Sequence, residues 1–299
     1  MSNNQTNNII EEELIPPAEP GFWKESWYQL TRNRAAMAGL IVIAIFALLA
    51  VFAPLAAPKD PLEQTISARM TAPFTDGYIL GTDDLGRDLL SRIIYGGRIS
   101  LIIGIVSVGI SLVTGTILGM AAGYFGGWVD RIIMRIIDIM LAFPYILLTI
   151  VIVAILGPSL MNAMIAIGIS QMPRYARVIR ASVIAEREQD YVLAERSLGT
   201  NNVELMFRTI LPNTLAPTMV QATLGVGEAI LSSAGLSFLG LGAQPPTPEW
   251  GLMIASSKQF ITSAWWIVTL PGLAILVTVL GFNLLGDGLR DILDPRLRD

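Results

Sequence analysis

The sequence contains no cysteine and no histidine among its 299 residues. The absence of cysteine excludes disulfides and thiol chemistry, and without histidine the chain cannot build a Cys/His zinc site or a Ser-His-Asp triad. Any metal site would have to use carboxylates or thioethers alone. The 12 methionines are scattered along the chain, so we expect them to pack between helices, and no metal site is predicted.

Charged residues are scarce as well. They make up 15% of the chain, whereas an ordinary soluble domain carries about 25%, and hydrophobic residues reach 53%. This deficit of charge indicates a protein that contacts membrane lipid. The small net charge of −4 argues against a nucleic-acid partner.

Lysine is nearly absent, and its scarcity limits how the chain could bind ATP. The three lysines are Lys24, Lys59 and Lys258, and none of them follows a glycine. A phosphate-binding P-loop needs a Gly-Lys-Ser/Thr sequence, so the chain cannot bind and hydrolyse ATP by that route. It is therefore not predicted to be an enzyme. If transport is ATP-driven, the motor is a separate polypeptide.

Long uncharged runs are present instead. A hydrocarbon core of about 30 Å needs roughly 20 apolar residues in a helix, and the runs predict an all-α membrane protein with six transmembrane helices. The predicted spans are residues 35–57, 99–124, 132–156, 160–172, 215–236 and 261–286. The fourth either ends before Pro173 or continues to Ile179, with its arginines reaching the interface.

Basic residues predict the orientation. With the N-terminus inside, the inner segments hold 14 of the 20 basic residues and the outer segments hold 6. The positive-inside rule then places both termini in the cytoplasm of a multi-pass protein of the cytoplasmic membrane. The first 20 residues have neither a basic start nor a cleavage site, so residues 1–24 are predicted to be a disordered cytoplasmic tail rather than a signal peptide.

The long loop between the first two spans contains a cluster of opposite charges. Its charged residues are Asp83, Asp84, Arg87, Asp88 and Arg92. We expect them to form salt bridges that fix the loop. The apolar positions of residues 88–101 recur at helical spacing, which predicts a separate amphipathic helix ahead of the second span.

The arginine-rich segment between the fourth and fifth spans predicts a helical elbow. Asp190 is expected to cap a short helix that Gly199 ends, and Asn201 or Asn202 a second one. Pro212 would then turn the chain back into the membrane. The residues Val192, Leu193 and Ala194 would give the first helix an apolar patch. From these residues alone, the elbow is either a dock for a cytoplasmic partner or an ordinary positively charged inner loop.

The spacing of Ala194, Gly199 and Leu211-Pro212 resembles the EAA loop of ABC-transporter permeases. In that family the loop forms the coupling helix that inserts into an ATPase subunit. Glu195 stands where the family often has a small residue, and it could alter docking or pair with the ATPase. The resemblance assigns ATPase coupling to Tyr191, Val192, Ala194, Glu195, Gly199, Leu211 and Pro212.

Three further stretches resemble the C-type permease subunits of dipeptide and oligopeptide importers. They are residues 80–101, residues 236–251, and residues 126–131 together with Asp138 and Pro144. The resemblance implies a type I-like ABC importer permease fold. It divides the chain into an N-terminal span with outer loop (25–98), a five-span core (99–290) that contains the elbow (174–213), and a cytoplasmic tail (291–299).

The resemblance also implies an ATP-driven peptide importer. A substrate-binding protein would deliver peptide, a second homologous permease would complete a heterodimeric pathway, and two ATPase subunits would bind the ATP and Mg²⁺. This chain itself would hold no cofactor. Nickel and glutathione importers belong to the same branch and stay open. An ion-coupled secondary transporter would need several ionisable residues within spans and internal symmetry, and a recruiting scaffold would need no transport partners.

Glu228 is a carboxylate within a predicted span. Such a group is costly in lipid and normally faces a cavity or a partner. With Ser232 and Ser233, it is predicted to line the translocation path and to steer the cationic end of a substrate. The alternatives are a pairing with an arginine of the partner permease or a protonated packing residue.

Two other predictions concern loops and helix starts. The run Gln244–Pro248 cannot be helical, because its prolines remove donors and fix φ, so it should be a stiff loop at the pathway mouth. Contact with the binding protein is predicted for Asp83, Arg87, Asp88, Gln244, Pro245 and Trp250. Asp138 is expected to pair with Arg135 or Arg131 in a structural role.

Overall fold

The computed structural model describes residues 28–293, so the predicted tail 1–24 and most of 291–299 lie outside the described residues. The described part is helical and contains no β-strand. The main helices are α1 Arg34–Val51, α2 Leu89–Phe125, α3 Gly127–Leu141, α4 Tyr145–Leu156, α5 Leu160–Arg187, α6 Asp190–Ser197, α7 Leu211–Phe238, α8 Trp250–Ser257 and α9 Trp266–Leu293. The all-α prediction is confirmed.

Three helices, α1, α2 and α9, are long and apolar enough to cross a membrane, and a fourth crossing is added if α3 and α4 together form one span. The six-span prediction is therefore met only in part. Helices α5 and α7 lie where the fourth and fifth spans were predicted. However, α5 carries several arginines and α7 is rich in polar residues, so neither reaches the hydropathy of a simple span.

Helix α2 is longer than predicted. It runs unbroken for 37 residues, so the predicted amphipathic helix 88–101 and the second span are one element. Asp88 caps this helix, because its side chain accepts a hydrogen bond from the Ser91 amide at 2.8 Å.

The third predicted span is broken rather than continuous. Helices α3 and α4 meet at an angle of 94°. Pro144 stands at the break with an extended ψ of 130°, and a proline disfavours helical backbone in the residue before it. The single span 132–156 is thus a bent pair.

Proline has the opposite outcome in α5, which continues through Pro173 to Arg187. An end of the fourth span before Pro173 is therefore wrong. The other spans differ at their ends: α1 stops at Val51 and is followed by a one-turn helix, Ala53–Ala56, while α9 begins at Trp266 rather than near residue 261.

Small residues let α2 and α5 pack closely. Gly115, Gly119 and Gly123 recur at every fourth position on the face of α2 that meets α5. A Cβ on Gly119 would lie 2.5 Å from the carbonyl oxygen of Ala176. Only glycine permits this backbone approach, which is a common device for joining helices in membranes.

Candidate functional site

Residues 174–187 of the predicted elbow belong to α5, so the elbow proper lies between α5 and α7 and begins with helix α6. Gln189, not Asp190, occupies the N-cap, and its side chain makes no capping bond. Asp190 is the first helical residue, where its negative charge still favours the helix dipole. Gly199 follows α6 with φ +87°, as predicted for the residue that ends it. Asn201, not Asn202, caps the next turn by accepting a bond from the Glu204 amide at 2.8 Å.

The predicted apolar patch on α6 is divided between two faces. Val192 is buried in a cluster with Met120, Ile179, Val183, Leu205, Met206 and Ile210. Leu193 and Ala194 are exposed. Successive residues of a helix are turned by about 100°, so three in a row cannot share one face. Val192 therefore holds α6 against the chain, and Leu193 and Ala194 are presented outward.

Hydrogen bonds close the elbow on itself. Thr209 donates its hydroxyl to Glu195 at 2.7 Å, and the Asn213 amide donates to the Tyr191 hydroxyl at 2.8 Å. Tyr191 also bonds the carboxylate of Glu186. These contacts surround a cleft of about 520 Å³ lined by Tyr191, Glu195, Thr200, Glu204, Arg208, Thr209, Pro212 and Asn213.

Pro212 does not turn the chain. A short helix, Asn202–Glu204, and a π-helical turn, Leu205–Ile210, lead directly into α7. The Leu211 amide bonds the carbonyl of Met206 in the wider π register. Pro212 stands in the first turn of α7, where a missing amide donor is tolerated.

Three arginines of α5 each pair with an acidic residue of another helix. Because they are spaced three residues apart, their side chains point in successively rotated directions around α5. The nitrogen–oxygen contacts are Arg174–Glu228 at 2.8 Å, Arg177–Asp138 at 2.6 Å and Arg180–Asp130 at 2.5 Å. Asp138 thus pairs with Arg177, not with Arg131 or Arg135 as predicted, because α3 lies alongside α5. The guanidinium of Arg131 instead stacks on Trp128, 5.3 Å from the ring centroid.

Glu228 has a partner within its own chain. Both of its carboxylate oxygens lie 2.8 Å from Nη1 of Arg174. The predicted pairing of Glu228 with an arginine thus has a candidate within the same chain. Ser232 is half-buried near it, whereas Ser233 is buried and turned away. The reason is helical geometry, since a residue five positions on is rotated by about 140°.

The charged cluster before α2 is largely buried, with Asp83, Arg87, Asp88 and Arg92 inaccessible. Arg87 bonds Asp83 at 2.7 Å, and Nε of Arg92 lies 3.4 Å from the same carboxylate. The predicted salt-bridge cluster is therefore present around Asp83. Asp88 instead caps α2, and Asp84 contributes its backbone carbonyl to Arg69.

Trp250 is also inaccessible. It is fully buried, its indole N–H donates to the carbonyl of Ile93 at 2.9 Å, and its ring packs edge-on against Phe46. Burial rules out the binding-protein contact predicted for Trp250 and for Asp83, Arg87 and Asp88. The last three stabilise the segment between α1 and α2. Gln244 and Pro245 are exposed in a non-helical loop and retain that predicted role.

Arg174 is not predicted as a site residue from the sequence, where it contributes only to the positive charge of the inner loop. A usable signal was present: a carboxylate within a span needs a cation, and Arg174 is the basic residue closest to the fourth apolar run. The glycines of α2 were also missed, although their four-residue spacing is a known packing signal.

Comparison with known proteins bears on the whole chain. The family described as binding-protein-dependent transport system inner membrane component matches residues 115–299. The N-terminal TM domain of oligopeptide transport permease C matches residues 21–73. A dipeptide transport system permease protein of Escherichia coli K12 is 53% identical over 303 residues, with 100% of each chain covered.

Two further relatives differ in their named substrate. A dipeptide transport system permease protein of Alkalihalophilus pseudofirmus is 51% identical over 295 residues, covering 97% of each chain. A glutathione transport system permease protein of Pectobacterium atrosepticum is 42% identical over 276 residues, covering 92% of each.

Among solved structures, the inward-facing MetNI methionine ABC transporter is similar, with a TM-score of 0.54 over 68% of this chain and 97% of that chain. The sequences are 18% identical, so this likeness concerns the fold alone.

Proposed function

The chain belongs to the binding-protein-dependent transport system inner membrane components, the permeases of ABC importers, and we propose on that basis that it forms half of a dipeptide pathway. Permeases of this family work with separate ATPase subunits and a substrate-binding protein. The chain is thus an inner-membrane subunit of a larger transporter. Its sequence contains no P-loop, which is consistent with ATP binding by a separate subunit.

One observation carries the choice of substrate. The two dipeptide permeases described above are 51% and 53% identical over essentially the full length, whereas the glutathione permease is 42% identical. We therefore assign short peptides as the substrate, with import as the direction. A second, homologous permease would complete the pathway as a heterodimer, and both termini of this chain would be cytoplasmic.

The elbow is the proposed ATPase contact. Its outward surface contains Leu193 and Ala194, and Leu198 at the end of α6 is 86% exposed. A large apolar side chain exposed to this extent is a natural anchor for a groove on a partner. Gly199 ends the helix, and Leu211 with Pro212 begins α7, so motion of the elbow would be passed directly into the membrane region. ATP and Mg²⁺ would be bound by the two ATPase subunits.

Reconstitution tests this assignment. The complex of both permeases and both ATPases would be placed in liposomes with its binding protein, and uptake of labelled dialanine, glutathione and nickel ions would be compared. We expect ATP-dependent accumulation of dialanine above the other two. Preferential uptake of glutathione or nickel would overturn the peptide assignment. Uptake by the isolated chain driven by an ion gradient would overturn the ABC mechanism.

A further inference from the structure

The Arg174–Glu228 pair joins α5 to α7 well inside both helices. The arginine side chain is 44% exposed and the glutamate side chain 35% exposed. Exposed charges within a membrane protein face water or another subunit rather than lipid, because lipid solvates them poorly. This pair therefore marks the side of the chain that faces the pathway or the partner permease.

Neutral polar groups border the pair on one side. The guanidinium of Arg174 lies 5.5 Å from the ring centroid of Tyr145. The Tyr145 hydroxyl donates to Ser232 at 3.1 Å and accepts from the amide of Gln171 at 3.4 Å. Oε1 of Gln171 is buried without a hydrogen-bond partner among the described residues. One buried acceptor with spare hydrogen-bonding capacity, Oε1 of Gln171, thus lies on the far side of Tyr145 from the partly exposed ion pair.

We propose that Arg174 and Glu228 together recognise the two charged termini of a dipeptide, an inference that rests on the proposed function. At neutral pH a free dipeptide carries an ammonium group at one end and a carboxylate at the other. The guanidinium of Arg174 binds the peptide carboxylate and Glu228 binds the ammonium. In the described structure the two side chains satisfy each other, so the incoming peptide exchanges one ion pair for two.

This arrangement also limits peptide length. An extended chain covers about 3.3–3.6 Å per residue, so the termini of a dipeptide are roughly 7 Å apart and those of a pentapeptide up to about 17 Å. Two side chains now in direct contact on neighbouring helices can separate by the first distance through rotamer changes. They cannot reach both ends of the longer peptide. Arg174 and Glu228 are therefore specificity-determining residues for short zwitterions.

The first test neutralises the pair in the complete complex, with R174Q/E228Q compared against R177Q/D138N. The control removes a neighbouring ion pair that also links α5 to another helix and is comparably exposed. We expect dialanine imported per ATP hydrolysed to fall about tenfold in R174Q/E228Q, equivalent to about 1.4 kcal/mol, and less than about twofold in the control. In R174Q/E228Q, the fold increase in the apparent KM for peptide should exceed the fold change in the rate of ATP hydrolysis.

The outcomes separate the two proposals. If the unmutated complex does not import dialanine, the proposed function fails. If it does, and R174Q/E228Q behaves like R177Q/D138N, the recognition of termini fails alone. Pentaalanine gives a second comparison: its uptake should depend much less on the pair, and equal losses for both peptides would contradict the length limit.

A second measurement serves if the double variant does not assemble. The chain has no cysteine, so Ser232→Cys introduces a single thiol into it, one turn from Glu228. A cationic, water-soluble methanethiosulfonate should modify this thiol in at least one nucleotide state, and dialanine with its binding protein should slow the reaction. Failure of the reagent to react in every state would place the pair away from the pathway and overturn the proposal.

Discussion

Arg180 and Asp130 meet in a two-pronged ion pair that ties α5 to the first turn of α3. Nε of the arginine lies 2.5 Å from Oδ1 and Nη2 lies 2.6 Å from Oδ2. Only arginine can present two parallel donors in this way, so the pair fixes direction as well as distance. The bent pair of helices, α3 and α4, is thereby attached to the helix that leads into the elbow.

Arg180→Lys should therefore destabilise the complex although it retains the charge. Both side chains are partly exposed, so we expect a loss of only about 1 kcal/mol or less, or a drop of a few degrees in apparent Tm. Asp130→Asn should give a similar drop, and the double variant should be no worse than the single ones. Arg208→Lys is the control, since its ion pair with Glu204 is largely exposed. Additive losses in the double variant would contradict the coupling.

Substitutions of Glu195 can distinguish a role in shaping the elbow from a role in binding the ATPase. In the structure, its carboxylate accepts a hydrogen bond from Thr209. If that bond shapes the elbow, Glu195→Ala and Thr209→Val should each lower uptake per ATP several-fold, and Glu195→Gln should be tolerated because its amide oxygen still accepts. If Glu195 instead pairs with the ATPase, Glu195→Gln should fail and Thr209→Val should be harmless. We expect the first pattern, measured as the ratio of peptide import to ATP hydrolysis.

The effect of substituting Gly199 should depend on how readily the new residue adopts a positive φ, and not on the size of its side chain. Its φ is +87°, and nothing lies within 4 Å of the position that a Cβ would occupy. An L-residue held there costs roughly 1–2 kcal/mol, and asparagine accepts this region more readily than alanine. Gly199→Ala should weaken coupling of ATP hydrolysis to uptake more than Gly199→Asn does. A larger defect for asparagine would point to crowding by the partner ATPase.

Trp250 should matter for stability and not for binding-protein contact. Trp250→Phe removes the indole donor to Ile93 and should cost about 1 kcal/mol, and Trp250→Ala should cost about 3–5 kcal/mol. Neither change should alter the concentration of binding protein that gives half-maximal ATPase stimulation. Gln244→Ala, at an exposed loop position, should alter that concentration without changing apparent Tm. The reverse result would return Trp250 to the contact surface.

The sequence predicted the helical class, the elbow and the outer charged cluster because these depend on local signals. Each of these features can be recognised from residues that are close in the sequence. The signals are long apolar runs, a glycine after a short helix, and opposite charges within residues 83–92. The prolines show the limit of such signals. Both Pro144 and Pro173 interrupt apolar runs, but only Pro144 breaks a span. Helix α5 packs along α2, which stabilises it through Pro173, whereas α3 and α4 have fewer contacts with other helices.

Partners distant in the chain were the least predictable. Arg174 and Glu228 are separated by 54 positions, and Arg177 and Asp138 by 39. The residues around an arginine do not identify its partner on another helix, and only the need of a carboxylate within a span for a cation points towards Arg174. The burial of Trp250 was missed for the same reason, since the carbonyl that it bonds belongs to Ile93, 157 positions earlier.

The unbroken length of α2 has a mechanical consequence. Its 37 residues make a rod of about 55 Å, well beyond the roughly 30 Å of a hydrocarbon core. Near its start, the carbonyl of Ile93 is bonded by buried Trp250. Near its end, the Tyr124 hydroxyl bonds Asn202 at 2.7 Å, and Arg187 holds the carbonyl of Gly123. A continuous helix that is hydrogen-bonded at both ends connects the segment before α2 to the elbow, so we expect a displacement of one to be passed to the other.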